Sequence, residues 1–392
     1  MSLCAHFPLC GGCQKRDIPY PQQLLEKETQ FTQLFTSHFP DFAPLIQPIL
    51  GCTLQDYFRN KMEFSFGGTD PSEPEQNLFL GLKKRGRFDA IIPLEHCYLH
   101  SPTTQDILAT TAAFFAEKKI TTWNYYTNEG TLRYLTVRHS KTTGEFLLIL
   151  VVSQYAPCFQ DWAQTLKTQF PQIKSIVVAL QTTQSDTAYT DHTTVLLGEP
   201  FLEEELDGLT FRLSPYSFFQ TNTHQAKVLY KTIESFANLN NTDTVLDLYC
   251  GTGTIGLYLA RKAGKVIGVD ENPHSIANAQ KNAEINRLSN TLFLTENVKN
   301  FLKFNPVHAD CIVIDPPRDG LAPKALKRVV ERQANQVIYV SCNPKSLLRD
   351  LPVLLQGGYT LEAIQPVDMF PHSGHIEVVT KLILTHSLSH SR

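Results

Sequence analysis

The chain has 392 residues, 42% of them hydrophobic and 19% charged, with a formal net charge of −3. That length admits two or three separately cored domains, and the composition is that of a globular protein, not a disordered or fibrous one. No apolar run reaches the ~20 residues of a membrane span, no basic start followed by an apolar stretch marks a secretory signal, and the weak net charge excludes a whole-molecule electrostatic sponge for nucleic acid. A cytoplasmic location with no membrane partner is the expectation. Nine cysteines in a reducing compartment point to metal binding or nucleophilic chemistry, not to disulfides.

In chain order, the first signal is Cys4, then Cys10-Gly11-Gly12-Cys13, with Cys97 far downstream in Glu95-His96-Cys97. Four thiolates suit either zinc or an iron–sulfur cluster, and paired glycines let the backbone wrap a bulky inorganic core. Cys52, Cys158, Cys250 and Cys311 lack partners at ligand spacing and read as packing residues. Residues 20–38 carry Leu24, Leu25, Phe31, Leu34 and Phe35 at helical spacing, an amphipathic helix. Between residues 57 and 211 short alternating runs predominate, among them 62–66, 131–139 and 146–153, which predict strands, while 159–170 predicts a helix. Basic groups gather at Lys83-Lys84-Arg85-Gly86-Arg87, at Arg133, Arg138, His139 and Lys141, and at Arg59 and Lys61 between Phe58 and Phe64. Such groups can neutralise phosphates and stack bases.

After about residue 213 the texture changes. Apolar runs at 244–248, 265–269, 291–294, 311–314, 336–340 and 377–384 alternate with helical segments such as 275–287 and 323–332. This rhythm predicts a mostly parallel sheet covered by helices. The expected fold class is therefore α/β: a Rossmann-like domain over residues 214–392, preceded by a β-rich α+β domain over residues 1–213 that carries the cysteines.

Three motifs carry chemistry in the second half. Gly251-x-Gly253-x-x-Gly256 follows a strand, and Asp270 closes the next one, the arrangement that lets a backbone approach a nucleoside cofactor while an acid binds its ribose. The fingerprint alone leaves NAD and S-adenosylmethionine open. Asp315-Pro316-Pro317-Arg318 at a strand end argues for the latter. Ser341-Cys342-Asn343-Pro344 then breaks a strand sharply and exposes a thiol, and Glu377 begins the last strand after His375. A thiolate adding to C6 of uracil raises electron density on C5, which can take a methyl group, after which a base must remove the C5 proton.

Together, Phe218-Phe219-Gln220, Asp247-x-Tyr249-Cys250-Gly251-x-Gly253, Asp315-Pro316-Pro317-Arg318, Ser341-Cys342-Asn343-Pro344 and His375-Ile376-Glu377 resemble the RNA uracil-C5 methyltransferase family. The resemblance implies that Gln220, Tyr249, Asp270 and Asp315 contact S-adenosylmethionine, with Asn297 on the adenine side. It implies Cys342 as nucleophile and Glu377 as proton acceptor. Cys4, Cys10, Cys13 and Cys97 are similar to the ligands of a [4Fe-4S] cluster in the ribosomal-RNA branch, with zinc as the alternative ion and a structural or RNA-positioning role expected. The expected substrate is ribosomal RNA, reached as a flipped or unpaired uridine, and the expected state is a monomer. Transfer-RNA uracil methylation is the near alternative. An NAD-dependent iron–sulfur oxidoreductase is the alternative from another class.

Overall fold

Two seven-stranded sheets account for most of the strand signal in this computed structural model, which describes residues 4–68, 78–190 and 192–385. The first sheet holds β1 (Lys61–Gly67), β2 (Phe79–Lys83), β3 (Ile91–Pro93), β4 (Leu132–His139), β5 (Phe146–Val152), β6 (Ile173–Leu180) and β7 (Thr193–Leu197), in the order β3-β2-β1-β4-β5-β6-β7. All its pairings are antiparallel except β5 with β6. Strand β5 is Phe-Leu-Leu-Ile-Leu-Val-Val and every residue of it is buried. A continuous apolar run of this kind fits only a central strand covered on both faces. Leu148, Leu150 and Val152 pack with Phe115 and Trp162 of α2 (Thr103–Glu117) and α3 (Phe159–Gln169), whereas Leu147, Ile149 and Val151 pack with Tyr134 and Leu202.

A hairpin of β8 (Leu202–Leu206) and β9 (Leu209–Leu213) leads to the second sheet, of β10 (Thr244–Leu248), β11 (Lys265–Asp270), β12 (Thr291–Thr295), β13 (Cys311–Ile314), β14 (Gln336–Ser341), β15 (Tyr359–Val367) and β16 (Glu377–Leu384). Its order is β12-β11-β10-β13-β14-β16-β15. Strands β10 to β14 run parallel, while β16 lies antiparallel to both β14 and β15. Helices α4 (Thr223–Ala237), α5 (Thr254–Leu259), α6 (Pro273–Ile285), α7 (Val298–Phe304), α8 (Pro323–Glu331) and α9 (Pro344–Gln356) cover the two faces. The α/β class with a Rossmann-like second half is as expected, and the antiparallel β15–β16 pair is an addition to it.

The two cores do not follow chain order. Helix α1 (Tyr20–Thr36) buries Phe31 and Phe35 among Leu347, Leu351 and Ile364 of the second sheet's core. Residues 46–50 run beside β15, with Gln47 N–H donating to Ile364 O at 2.9 Å and Leu50 N–H to Pro366 O at 3.0 Å, which covers that otherwise open edge. The β8–β9 hairpin likewise packs Leu206, Phe211 and Leu213 with Leu229, Tyr230 and Ile276 of α4 and α6. Among the described residues no helix is long and apolar enough to cross a membrane.

Candidate active site at the carboxyl edge of the second sheet

The chain leaves β10 toward β11 on one side and returns to β13 on the other. The crevice between their carboxyl ends is where open α/β sheets bind ligands. A cleft of about 600 Å³ opens there, lined by Gln220, Tyr249, Asp270, Asp315, Cys342 and Glu377 together. All six residues expected from the sequence at the cofactor and the reacting base thus meet in one cavity. Asn297 does not line it: it stands at the N-cap position of α7 without a side-chain cap bond and donates to Glu271 Oε2 at 3.0 Å.

Local rules explain each placement. Tyr249, Gly251 and Gly253 all have positive φ, at 62°, 53° and 78°, which turns the backbone sharply out of β10 into α5. A Cβ on Gly251 would project into open space in the cleft, and one on Gly253 would sit 2.9 Å from Ala279 and Phe293. Asp270 ends β11 and its carboxylate accepts the N–H of Gly251 at 3.0 Å and of Asn272 at 2.8 Å, tying the two cofactor-side loops together. After β14 the Asn343 side chain accepts Lys345 N–H at 3.2 Å and Pro344 occupies the first helical turn, so α9 starts at once and Cys342 is left at the rim. Glu377 reaches the same edge only because β16 is antiparallel. Ser341 pairs with Val378, which brings Glu377 beside Cys342.

The electrostatics are those of a crowded acid cluster. Burial pushes the Asp315 carboxyl up to about 7 and that of Asp247 up to about 8, the latter against the hydrogen bond it accepts from Gly256 N–H at 2.8 Å. Glu377 is held well above the ordinary carboxylate range by burial and by Asp315. The Cys342 thiol is pushed up to about 11 by burial, then by Glu377 and Asp315, and Arg318 is the weakest of the influences on it. An electropositive surrounding for the thiol is therefore not what this cleft supplies. Asp247 borders the cleft fully buried, with its Oδ1 lacking a hydrogen-bond partner, an acceptor suited to a ligand's ammonium group. The open space above Gly251, this orphan oxygen and the acid at the end of β11 fit an aminoacyl nucleoside such as S-adenosylmethionine.

The cleft also takes in residues that the sequence does not single out for it. Tyr230 of α4 donates to Thr254 Oγ1 at 3.1 Å beneath Asp247 and Asp315, and Phe370 and Arg59 stand at the wall. Tyr230 sits at an ordinary helix core position and carries no sequence signal. Arg59 lies 5.6 Å over the Phe370 ring.

The N-terminal thiols are gathered less tightly. Among the described residues no three His, Cys, Asp or Glu side chains stand at metal-ligand spacing. Cys4, Cys10, Cys13 and Cys97 nonetheless line one small cavity with His6, His96 and Arg16. Burial raises Cys10, Cys13 (up to about 12) and Cys97 (up to about 11), while the N–H of Gly12 points at the Cys10 sulfur and those of Leu99 and His100 at the Cys97 sulfur. Peptide N–H groups aimed at sulfur are a setting in which thiolates ligate metals, but the spacing of these four is not that of a closed metal site.

The basic groups divide. Arg133 is buried, donating to the carbonyls of Gln181 and Thr183 at 2.9 and 2.6 Å and to that of Ser185. Arg138 is buried against the carbonyls of Pro215 (3.0 Å) and Ser217, His139 stacks on Phe146, and Lys141 donates to Tyr57 O at 2.8 Å. Arg133 and Arg138 thus hold loops from inside the fold and are not free for phosphates, a correction to the expected RNA contacts, while His139 and Lys141 are half-buried. Lys84 and Arg85 are exposed, although Arg85 donates to the carbonyl of Cys13.

Comparison with known proteins adds the following. The family model described as tRNA (Uracil-5-)-methyltransferase matches residues 160–385. An uncharacterized RNA methyltransferase of Clostridium tetani is 36% identical over 382 residues, 97% of this chain and 83% of that protein. One of Bacillus cereus is 35% identical over 386 residues, covering 97% and 83%. The crystal structure of Pyrococcus abyssi tRNA (uracil-54, C5)-methyltransferase in complex with S-adenosyl-L-homocysteine superposes with a TM-score of 0.76 at 28% identity, over 96% of this chain and 86% of that one.

Proposed function

The chain belongs to the RNA uracil-5 methyltransferase family, and from that premise we propose that it methylates C5 of a uridine in ribosomal RNA through a covalent adduct of Cys342 with C6. The observation that carries the reading is the pairing of β14 with β16, which brings Cys342 and Glu377 to one rim beside Asp315. S-adenosylmethionine, when bound, supplies an electrophilic methyl on a sulfonium. Asp270 accepts the ribose hydroxyls, Asp247 Oδ1 and Gln220 hold the amino-acid end, and Tyr249 packs beside it. Cys342 Sγ, its proton released to solvent, bonds to C6 and leaves an enolate whose C5 takes the methyl as the methyl–sulfonium bond breaks with its electron pair left on the thioether sulfur. Glu377, having given up its own proton as positive charge enters the cleft, removes the C5 proton, and the C6–S bond then breaks with its electron pair returning to sulfur.

Cys4, Cys10, Cys13 and Cys97 are the residues that would hold a [4Fe-4S] cluster, which would supply a rigid staple for the N-terminal segment and no redox step. Their presence favours ribosomal RNA. A transfer-RNA target is the second reading, favoured by the likeness to the Pyrococcus abyssi enzyme. The relatives described above are RNA methyltransferases and give the nicotinamide alternative no support. Mapping 5-methyluridine in ribosomal and transfer RNA from cells with and without the gene separates the two targets. For the mechanism, Cys342→Ala abolishes turnover while S-adenosylmethionine still binds, and Glu377→Gln accumulates a protein–RNA adduct that survives denaturing electrophoresis. Turnover by Cys342→Ala refutes the covalent route.

A further inference from the structure

The nine residues from Asp368 to Ile376 that join β15 to β16 deliver Phe370, His375 and Glu377 to the cleft, yet they are held from the opposite end of the chain. His372 is the centre of this hold. It is buried at 1% exposure with φ of 64°, a backbone region that a side-chain-bearing residue keeps only when its surroundings enforce it. Its N–H donates to Gln23 Oε1 at 2.9 Å, and its carbonyl accepts from Gln14 N at 2.7 Å and Lys15 N at 3.0 Å. Arg16 Nη1 lies 3.0 Å from its Nε2. Asp56 Oδ1 lies 3.5 Å from the same nitrogen and Gln23 Nε2 3.2 Å from Nδ1, so both ring nitrogens are held, and burial pushes this histidine down.

Neighbouring anchors come from the same stretch. Gln14 Oε1 accepts Gly374 N–H at 3.0 Å, Arg16 is itself gripped by Asp56, and Lys27 Nζ donates to Phe370 O at 3.0 Å and to Asp368 Oδ1 at 2.6 Å. Gln14, Lys15 and Arg16 directly follow Cys13, and Gln23 and Lys27 lie on α1. None of these five, nor His372, lines the cleft.

We propose that His372 is a positioning residue, the joint through which the Cys10–Cys13 loop and α1 fix the approach of Glu377 to the reacting base. The inference rests on the reading of Glu377 as the C5 base. It assigns the N-terminal segment a part in the proton-removal step, because a loosened turn would leave the earlier bond-making at Cys342 intact while delaying release. The Cys342 side of the cleft is carried by β14 and α9; α1 packs Phe31 and Phe35 on Leu347 and Leu351 of α9, but the hydrogen bonds of Gln14, Arg16, Gln23 and Lys27 go to the β15–β16 turn and not to α9.

The test uses full-length His372→Ala, His372→Asn and Gln14→Ala. Asparagine tolerates the left-handed region and keeps a side-chain acceptor for Arg16, and the exposed Gln14 can be removed without opening the core. Turnover, KM for S-adenosylmethionine, the share of RNA trapped as denaturation-resistant adduct, and amide exchange over residues 372–377 are measured. The expected result for His372→Ala is a kcat loss of about 10²-fold with KM for S-adenosylmethionine unchanged, a raised adduct share and faster exchange. His372→Asn restores most of the rate, and Gln14→Ala moves the same readouts less at an unaltered melting temperature. Wild-type kcat and exchange in both alanine variants overturn the proposal. So does a rate loss that tracks only the unfolded fraction with the adduct share unchanged. Persistent turnover by Cys342→Ala would instead strike the functional reading, and the exchange data at residues 372–377 still judge this one.

Discussion

The sharpest prediction concerns protons on sulfur. Cys342 is pushed up to about 11, mainly by burial. At pH 8 it stands about three pH units below its titration, so about one molecule in 10³ carries the thiolate and about 4 kcal/mol separates the two forms at 1.36 kcal/mol per unit. An ordinary exposed cysteine, titrating near 8.5, is roughly a quarter ionised at that pH. Alkylation of Cys342 by iodoacetamide in the free enzyme, followed by mass spectrometry of its peptide, is therefore expected to be roughly 200-fold slower than that of an exposed thiol. Steric hindrance slows alkylation equally at every pH, so the slope is the decisive quantity. The rate should climb about tenfold per pH unit from 7 to 10. Glu377→Gln removes the second cause of the raised thiol and should speed alkylation at high pH, without abolishing the slope that burial maintains. A rate that levels off at or below pH 8.5 would refute the reasoning, because the cleft would then be stabilising a resting thiolate.

Two further outcomes follow from the geometry. Asp270→Ala removes the acceptor at the end of β11 and unties Gly251 and Asn272, and hydrogen bonds to a charged group are worth about 1.5–3 kcal/mol. Titration calorimetry should accordingly show S-adenosylmethionine binding weakened by about 10- to 100-fold, with Asp270→Asn intermediate. Lys27→Met leaves Asp368 buried without its cation, where the pair now lies at 2.6 Å with both side chains at most 1% exposed. Breaking such a pair costs about 3–5 kcal/mol, to be read as a fall in the urea midpoint, and an unchanged midpoint would contradict it.

The candidate catalytic edge is legible in the sequence because parallel strands announce themselves as apolar runs followed at once by chemistry-bearing turns. Asp270, Asp315 and Cys342 each end such a run or follow it at once, and the observed strands β10 to β14 begin where the runs do. Glu377 is found by its motif, but its reach to Cys342 depends on strand direction, which periodicity does not encode. Strand β15 is missed because Thr360, Glu362, Gln365 and Pro366 break it up, so it is not the continuous apolar run that marks the other strands of this half. The basic cluster from Arg133 to Lys141 misleads, since charge patterning cannot tell a solvated guanidinium from one that caps carbonyls inside the fold. Nor can linear order reveal that α1, on the N-terminal side of the texture change near residue 213, packs its phenylalanines on the later sheet.

That last arrangement sets a timetable for biogenesis. The lysine on α1 meets its aspartate 341 positions later, and a ribosome adding about 5–20 residues per second needs roughly 20–70 s to bridge the interval. Throughout it the greasy stripe of the first helix has no native surface to rest on. The final hairpin then completes the pocket and shelters that stripe in a single event, so a nascent chain truncated before its last strand is expected to be a chaperone client and not a smaller working enzyme.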